Sequence, residues 1–140
     1  MKILVDTSIW SLALRRKKSN INDTENELLN DLIELIEEKR IVIIGPIKQE
    51  ILSGISSKNQ FDLLQEKLLA FKSHDITDYD YLKAAEFFNV CRVNGIQGSH
   101  IDFLICAVAY NNNYQIFTTD KDFENYSKHI ELNIFKNGQQ

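Results

Sequence analysis

The chain has 140 residues, 44% of them apolar and 26% charged, the make-up of one ordinary domain able to bury its own core. That balance excludes a disordered or collagen-like chain, and a single Pro with five Gly argues against a loop-rich or many-hairpin fold. Sixteen basic against twenty acidic residues leave a net charge of −4, so nothing draws nucleic acid or an anionic membrane to the whole surface, and a polyanionic substrate would need local help.

Lys2-Ile3-Leu4-Val5 reads as a short buried strand, and Ile9, Trp10, Ala13 and Leu14 give residues 7–14 a helical period. Asp6 therefore stands at the carboxyl end of a strand. Thr24-x-x-Glu27 has the form of a capping box, and Leu28, Leu29, Leu32, Ile33, Leu35 and Ile36 carry a 3.6-residue period toward Arg40. Ile41-Val42-Ile43-Ile44 is a second buried strand; Gly45-Pro46 ends it and puts Pro in the first turn of the helix that bears Glu50. Residues 61–71 read as a helix with Leu63, Leu64, Leu68 and Leu69 inward, and residues 72–76 as a short strand or a loop. Thr77-x-x-Asp80 caps a further helix through Leu82, Ala85, Phe88 and Cys91, which Gly95 ends. Gly98 and Ser99 restart the chain. The helix over residues 99–112 is apolar round most of its circumference, which predicts a covered, central position. Gln115-Ile116-Phe117-Thr118 is a strand leading to Asp120, followed by a helix near residues 121–128 and a last strand over residues 131–135.

Strands alternating with helices predict one α/β domain over residues 1–140, with a central, mainly parallel sheet flanked by helices. The longest wholly apolar run, eight residues from Phe103 to Tyr110, falls short of the roughly 20 that a bilayer crossing needs. The N-terminal apolar run stops at Asp6, too soon for a signal peptide. A cytoplasmic protein without a membrane partner is expected. Cys91 and Cys106 lie in apolar helical stretches and are expected to be reduced core residues rather than a disulfide or a zinc site.

In parallel α/β folds ligands gather at the carboxyl ends of the strands, where Asp6, Glu50 (one turn further on) and Asp120 fall, with Asp102 at the start of the central helix. Each has a plain structural explanation. Asp6 and Asp120 can cap the helices that follow them, Glu50 can be a solvated boundary residue, and Ser99-x-x-Asp102 can be a capping box. Asp102 nevertheless lies within about 60° of Ile105, Cys106 and Ala109 on a helical wheel, on an apolar face. Four such acids meeting at one sheet edge create a conflict, because two carboxylates about 4 Å apart repel by roughly 4 kcal/mol at an effective dielectric of 20. A divalent cation resolves it. Oxygen-only ligands select hard ions, Mg²⁺ or Mn²⁺, and Mg²⁺ is commonly completed by substrate phosphates, which points to chemistry on a phosphate ester.

Asp6-Thr7-Ser8 after the first strand, Glu50 after the second, Asp102 in Asp-Phe-Leu-Ile-Cys-Ala, and Thr118-x-Asp120-x-Asp122-Phe123 resemble the PIN-domain ribonucleases, most closely the VapC toxins of toxin–antitoxin pairs. The resemblance spans nearly the whole chain, and Arg92-x-x-Gly95 is similar to one branch of that family. It implies a PIN-like three-layer sandwich and an acidic metal site of Asp6, Glu50, Asp102 and Asp120. Asp122 would be an auxiliary acid, with Thr7 or Ser8 and Thr118 orienting carboxylates by hydrogen bonds. It further implies Mg²⁺- or Mn²⁺-dependent RNA cleavage by a metal-activated water, a homodimer, and a cognate antitoxin that covers the site.

Arg15-Arg16-Lys17-Lys18 either brings RNA phosphates toward Asp6 or complements the dipole of the first helix and then enters a solvated loop. His74, His100 and His129 are expected at the surface or in packing, and Trp10, Phe87 and Phe88 in packing or dimer contacts. A phosphatase using Asp6 as nucleophile would want another Asp two residues on, where Ser8 stands. The remaining alternative is a non-catalytic α/β binding module in a regulatory complex, with the acids reduced to caps.

Overall fold

The computed structural model describes residues 1–136. Four strands, β1 (Ile3–Val5), β2 (Ile41–Ile44), β3 (Ser73–His74) and β4 (Gln115–Phe117), form one parallel sheet in the order β3-β2-β1-β4. Parallel neighbours cannot be joined by tight turns, so every connection is helical. Helices α1 (Thr7–Leu14) and α2 (Asp23–Glu37) lie between β1 and β2, and α3 (Gly45–Leu52) and α4 (Lys58–Leu69) between β2 and β3. Then α5 (Asp78–Val93) and α6 (His100–Asn112) lead to β4, and α7 (Asp122–Tyr126) follows it. With helices flanking a parallel sheet, the architecture is the three-layer sandwich expected from the sequence.

The strands are nearly uniform in their apolar character because both of their faces are covered. Ile3, Leu4 and Val5 are wholly buried, as are Ile44 and Ile116. In the central strand, Leu4 sits opposite Val42 on one side and Ile116 on the other. Helix α6 is buried at every position from Phe103 to Ala109, which accounts for its lack of a polar face; α5 packs along it. Cys91 and Cys106 are free and buried, as expected. Among the described residues, no helix is long and apolar enough to cross a membrane.

Several local expectations shift. The box at the start of α2 is Asn22 with Glu25: Glu25 N–H donates to Asn22 Oδ1 (2.8 Å) and Asn22 N–H donates to Glu25 Oε1 (3.2 Å). Thr24-x-x-Glu27 has the same spacing, but the pair two residues earlier also gains Arg16, whose Nη1 lies 3.2 Å from Glu25 Oε2. Helix α4 begins at Lys58 because Ser57 caps it. It buries Leu64 and Leu68, while Leu63 and Leu69 face solvent, a stripe one residue wide at i, i+4 spacing. Leu82 is exposed too. The last strand is reduced to one parallel bridge between Ile116 and Ile134. Its hydrogen bonds, Ile116 N–H to Asn133 O and Phe135 N–H to Ile116 O (both 2.8 Å), engage one residue of β4.

Candidate metal site

Parallel pairing of β1 with β4 sets Val5 opposite Phe117, and Asp6 N–H continues the ladder by donating to Phe117 O (2.9 Å). The residues that leave the two strands, Asp6 and Thr118, are thus side by side. Asp6 is 5% exposed, one of two buried charged residues among those described. Its Oδ2 accepts from Thr118 Oγ1 (2.7 Å), Ser8 Oγ (2.8 Å) and Ser8 N–H (3.4 Å). Both hydroxyls are themselves held by the β4–α7 loop, since Thr119 N–H donates to Ser8 Oγ (3.1 Å) and Asp120 N–H to Thr118 Oγ1 (3.0 Å). Each relay polarises the hydroxyl toward the carboxylate, and together they fix one of its oxygens.

The other buried acid, Asp80, makes the contrast. Its Oδ2 accepts from Thr77 N–H (3.0 Å) and Thr77 Oγ1 (3.3 Å), and its Oδ1 from Asn111 Nδ2 (2.9 Å). With both oxygens taken, Asp80 is a structural cap for α5. Asp6 is also the cap of α1, yet every hydrogen bond to its carboxylate goes to Oδ2. Capping therefore accounts for half of that carboxylate.

The same half-use recurs in the remaining acids. Asp102 Oδ2 accepts from Tyr126 Oη (2.7 Å), Asp120 Oδ1 from Asp122 N–H (2.9 Å), and Glu50 Oε2 from Thr7 Oγ1 (3.1 Å). Among the described residues, no hydrogen bond reaches the second oxygen of Asp120 or Glu50, while at Asp102 the Ser99 hydroxyl also favours the charged carboxylate. Asp102, Asp120 and Asp122 each offer one oxygen within 4.8 Å of the others. Asp122, expected as an auxiliary, sits in this tightest group because the turn that opens α7 folds it back over Asp120. Asp6 and Glu50 are not members of the group. Asp6 is near enough that its charge, like that of Asp120, adds to the burial that raises Asp102 above the usual carboxylate range.

Helix α6 places Asp102 at its third residue. Asp102 N–H donates to the capping Ser99 Oγ (3.0 Å), so the cap expected from Ser99-x-x-Asp102 is formed through the backbone and leaves the carboxylate to other partners. One turn later Cys106 is fully buried, and burial together with the Asp102 charge pushes its thiol well up, so it stays protonated and inert. Tyr126 is a site residue that the sequence does not single out. A lone Tyr in a five-residue helix reads as a core aromatic, and its partner lies 24 residues upstream. Burial and the Asp102 carboxylate push its phenol upward, so it remains a donor.

The four-residue basic run is exposed. Arg16 is engaged by Asn20 O (2.8 Å) and Glu25, while Arg15, Lys17 and Lys18 take part in no ion pair among the described residues. His100 stacks on Phe88 with ring centroids 5.0 Å apart, as expected of a packing residue. An apolar groove of about 610 Å³ passes between α3, α5 and the start of α6, lined by Pro46, Tyr81, Ala84, Phe88, Ile101 and Leu104. None of the clustered acids lines it.

This arrangement, acids at the carboxyl edge of a β3-β2-β1-β4 parallel sheet, has counterparts. The sequence matches the PIN domain family over residues 3–129. The chain belongs to the PIN domain family. It is VapC-like within that family: it is 32% identical over 124 residues to the VapC ribonuclease Mb1587 of Mycobacterium bovis, covering 87% of this chain and 89% of the relative. Two solved structures share this PIN fold. VapBC2 from Rickettsia felis, bound to a DNA fragment from its promoter, superposes with a TM-score of 0.75 at 18% identity, over 96% of this chain and 98% of the other. FitAcB from Neisseria gonorrhoeae superposes with a TM-score of 0.74 at 19% identity, over 96% of both chains.

Proposed function

We propose that this PIN domain is a VapC-type endoribonuclease that hydrolyses RNA phosphodiester bonds with Mg²⁺ or Mn²⁺. The observation that carries the reading is the carboxylate set at the sheet's carboxyl edge: Asp6, Glu50 and Asp120 are each anchored through one oxygen, and Asp102, Asp120 and Asp122 present oxygens to one another within 4.8 Å. The donor set fits a hard divalent ion. The Asp102, Asp120 and Asp122 oxygens lie within 4.8 Å of one another, so rotation of these side chains would let the three share one oxygen-liganded ion. Asp6 and Glu50 complete the acidic wall, with Thr7, Ser8 and Thr118 orienting them.

A bound ion supplies Lewis-acid activation of water and neutralises charge that develops on the phosphate. The chain supplies the rest. Asp6, locked by two hydroxyl relays, keeps its acceptor fixed as the phosphate group changes shape, so no reorganisation is required of it during the reaction. Arg15, Lys17 and Lys18, which take part in no ion pair among the described residues and follow the helix that Asp6 caps, draw the RNA backbone toward the acids against the net charge of −4. The VapC likeness brings a cognate antitoxin that covers the acids and a homodimeric assembly into the same proposal, with the cytoplasm as the place where RNA and antitoxin meet it.

The test is cleavage of a mixed RNA pool by purified, antitoxin-free protein with Mg²⁺, Mn²⁺ or EDTA, beside the Asp6→Asn variant. Discrete cuts that need metal and vanish in the variant support the nuclease, since a contaminating enzyme does not respond to the substitution. A folded protein that cuts nothing and binds no metal would leave a binding module, with the acids as caps.

A further inference from the structure

We infer that Tyr126, seated in the space left by Gly98, is a positioning residue that presents Asp102 to the cation. This rests on the metal-dependent reading above and adds to it a residue outside the acidic motifs. Tyr126 Oη donates to Asp102 Oδ2 at 2.7 Å, and of the two side-chain hydroxyls that favour the charged carboxylate, Tyr126 and Ser99, it has the larger effect. A charge-assisted hydrogen bond of this length fixes one oxygen and with it the direction of the other.

The Tyr126 ring cannot move independently of the site. It is fully buried, 4.8 Å between centroids from Phe103 and 5.4 Å from Phe123. Phe103 directly follows Asp102 in α6, and Phe123 directly follows Asp122 in α7. One aromatic ring is therefore clamped by the neighbours of two clustered acids and ties the two helices at a set spacing. Packing alone would be served equally by Phe. The hydroxyl is the additional element, and it goes to the acid.

Gly98 makes this geometry possible by its lack of a side chain. A Cβ there would lie 2.5 Å from Tyr126 Oη, 2.8 Å from Tyr126 Cζ and 2.7 Å from Phe103 Cε2. Distances below 3.0 Å require something to shift. Unlike Gly95, which has a positive φ of 76°, Gly98 has no positive φ. It is needed for close approach to the hydroxyl that holds Asp102.

The experiment measures Mn²⁺ affinity of the full chain by electron paramagnetic resonance without RNA, together with kcat and KM for a cleaved RNA, in wild type, Tyr126→Phe, Gly98→Ala and the double variant. Loss of an orienting partner typically costs about 10–100-fold in metal affinity or activity. Tyr126→Phe is expected to weaken Mn²⁺ by about tenfold or more and to lower kcat with KM unchanged, while melting in EDTA stays close to wild type. Gly98→Ala is expected to weaken Mn²⁺ as well, and the double variant to bind it no better than either single variant, because the contacts of the new Cβ with the ring Cζ and Phe103 Cε2 remain when the hydroxyl is gone. Wild-type Mn²⁺ affinity and kcat in Tyr126→Phe would overturn the inference and leave Tyr126 a packing residue. A wild type that binds no Mn²⁺ would overturn the metal reading and this inference with it.

Discussion

Replacing Asp102 with Asn separates the two roles open to this acid, because they predict stability changes of opposite sign. As a helix-start residue, the Asp102 charge favours α6 by about 0.3–1 kcal/mol. As a member of the cluster, it faces Asp120 and Asp122 oxygens no more than 4.8 Å away. Even at the dielectric of bulk water each of those pairs repels by about 0.9 kcal/mol, and the repulsion grows in the partly buried site. Asn keeps the carbonyl oxygen that accepts from Tyr126 and the N–H that donates to Ser99, so neither hydrogen bond is lost. Repulsion wins, and metal-free Asp102→Asn is expected to be more stable than wild type by about 1 kcal/mol, raising Tm by roughly 3–4 °C for a domain of this size.

The effect carries a pH signature. Burial above all raises Asp102 in the folded chain; the Tyr126 and Ser99 hydrogen bonds oppose it, and the smaller effects of the Asp6 and Asp120 charges add to it. A raised folded value means that wild type is at full stability below the unfolded carboxylate pKa of about 4 and loses stability as pH rises through the folded value. The gap between variant and wild type should therefore be absent in acid and open toward neutrality. Calorimetric melts in EDTA at low salt across that range, repeated with Mn²⁺, measure it. Mn²⁺ should raise wild-type Tm and leave the variant nearly unmoved. A variant that melts below wild type in EDTA, or gains equally from Mn²⁺, would refute the reasoning and make Asp102 a cap.

Three further outcomes follow from the same geometry. Thr118→Val removes one relay onto Asp6 Oδ2 and strands Asp120 N–H, so thermal unfolding should show a loss of about 1–3 kcal/mol and RNA cleavage should fall; combined with Ser8→Ala the losses should be non-additive, because both hydroxyls serve one oxygen. Glu50→Gln should leave Tm within about 0.5 kcal/mol of wild type, since Glu50 is exposed, while lowering cleavage through the missing ligand. Neutralising Arg15, Lys17 and Lys18 should weaken RNA binding in filter assays and flatten its salt dependence, by about 0.7 in log–log slope for each single-strand phosphate that is no longer neutralised.

Strand ends and helix periods are enough to mark Asp6, Glu50 and Asp120 as acids at or one turn beyond the carboxyl ends of parallel strands, where ligands bind in such folds, and the structure groups Asp120 with Asp102 and Asp122. Asp102 stands out in the sequence as an acid on an apolar face, and in the structure that face is the buried one. The features that the sequence hides depend on contacts between distant residues. Tyr126 looks like any core aromatic until α7 is folded against α6, and Gly98 like any loop glycine until the Tyr126 ring is beside it. Asn22-x-x-Glu25 and Thr24-x-x-Glu27 are equal as patterns; the Arg16 ion pair separates them only once α1 and α2 are apposed. The outward Leu63 and Leu69 share the composition of the inward Leu64 and Leu68, and only the narrow buried face of α4 tells them apart. The closing strand does not form in full because β4 is three residues long and bridges just one partner.

The proposed function requires the clustered Asp102, Asp120 and Asp122 carboxylates to hold a divalent ion. Anomalous diffraction from a crystal grown with Mn²⁺ tests it most directly. The account predicts an anomalous peak bounded by the Asp102, Asp120 and Asp122 oxygens, with the Tyr126–Asp102 hydrogen bond intact, and no peak there in Asp102→Asn. A protein that cleaves RNA in the same Mn²⁺ buffer, yet shows no peak among these acids, would contradict it.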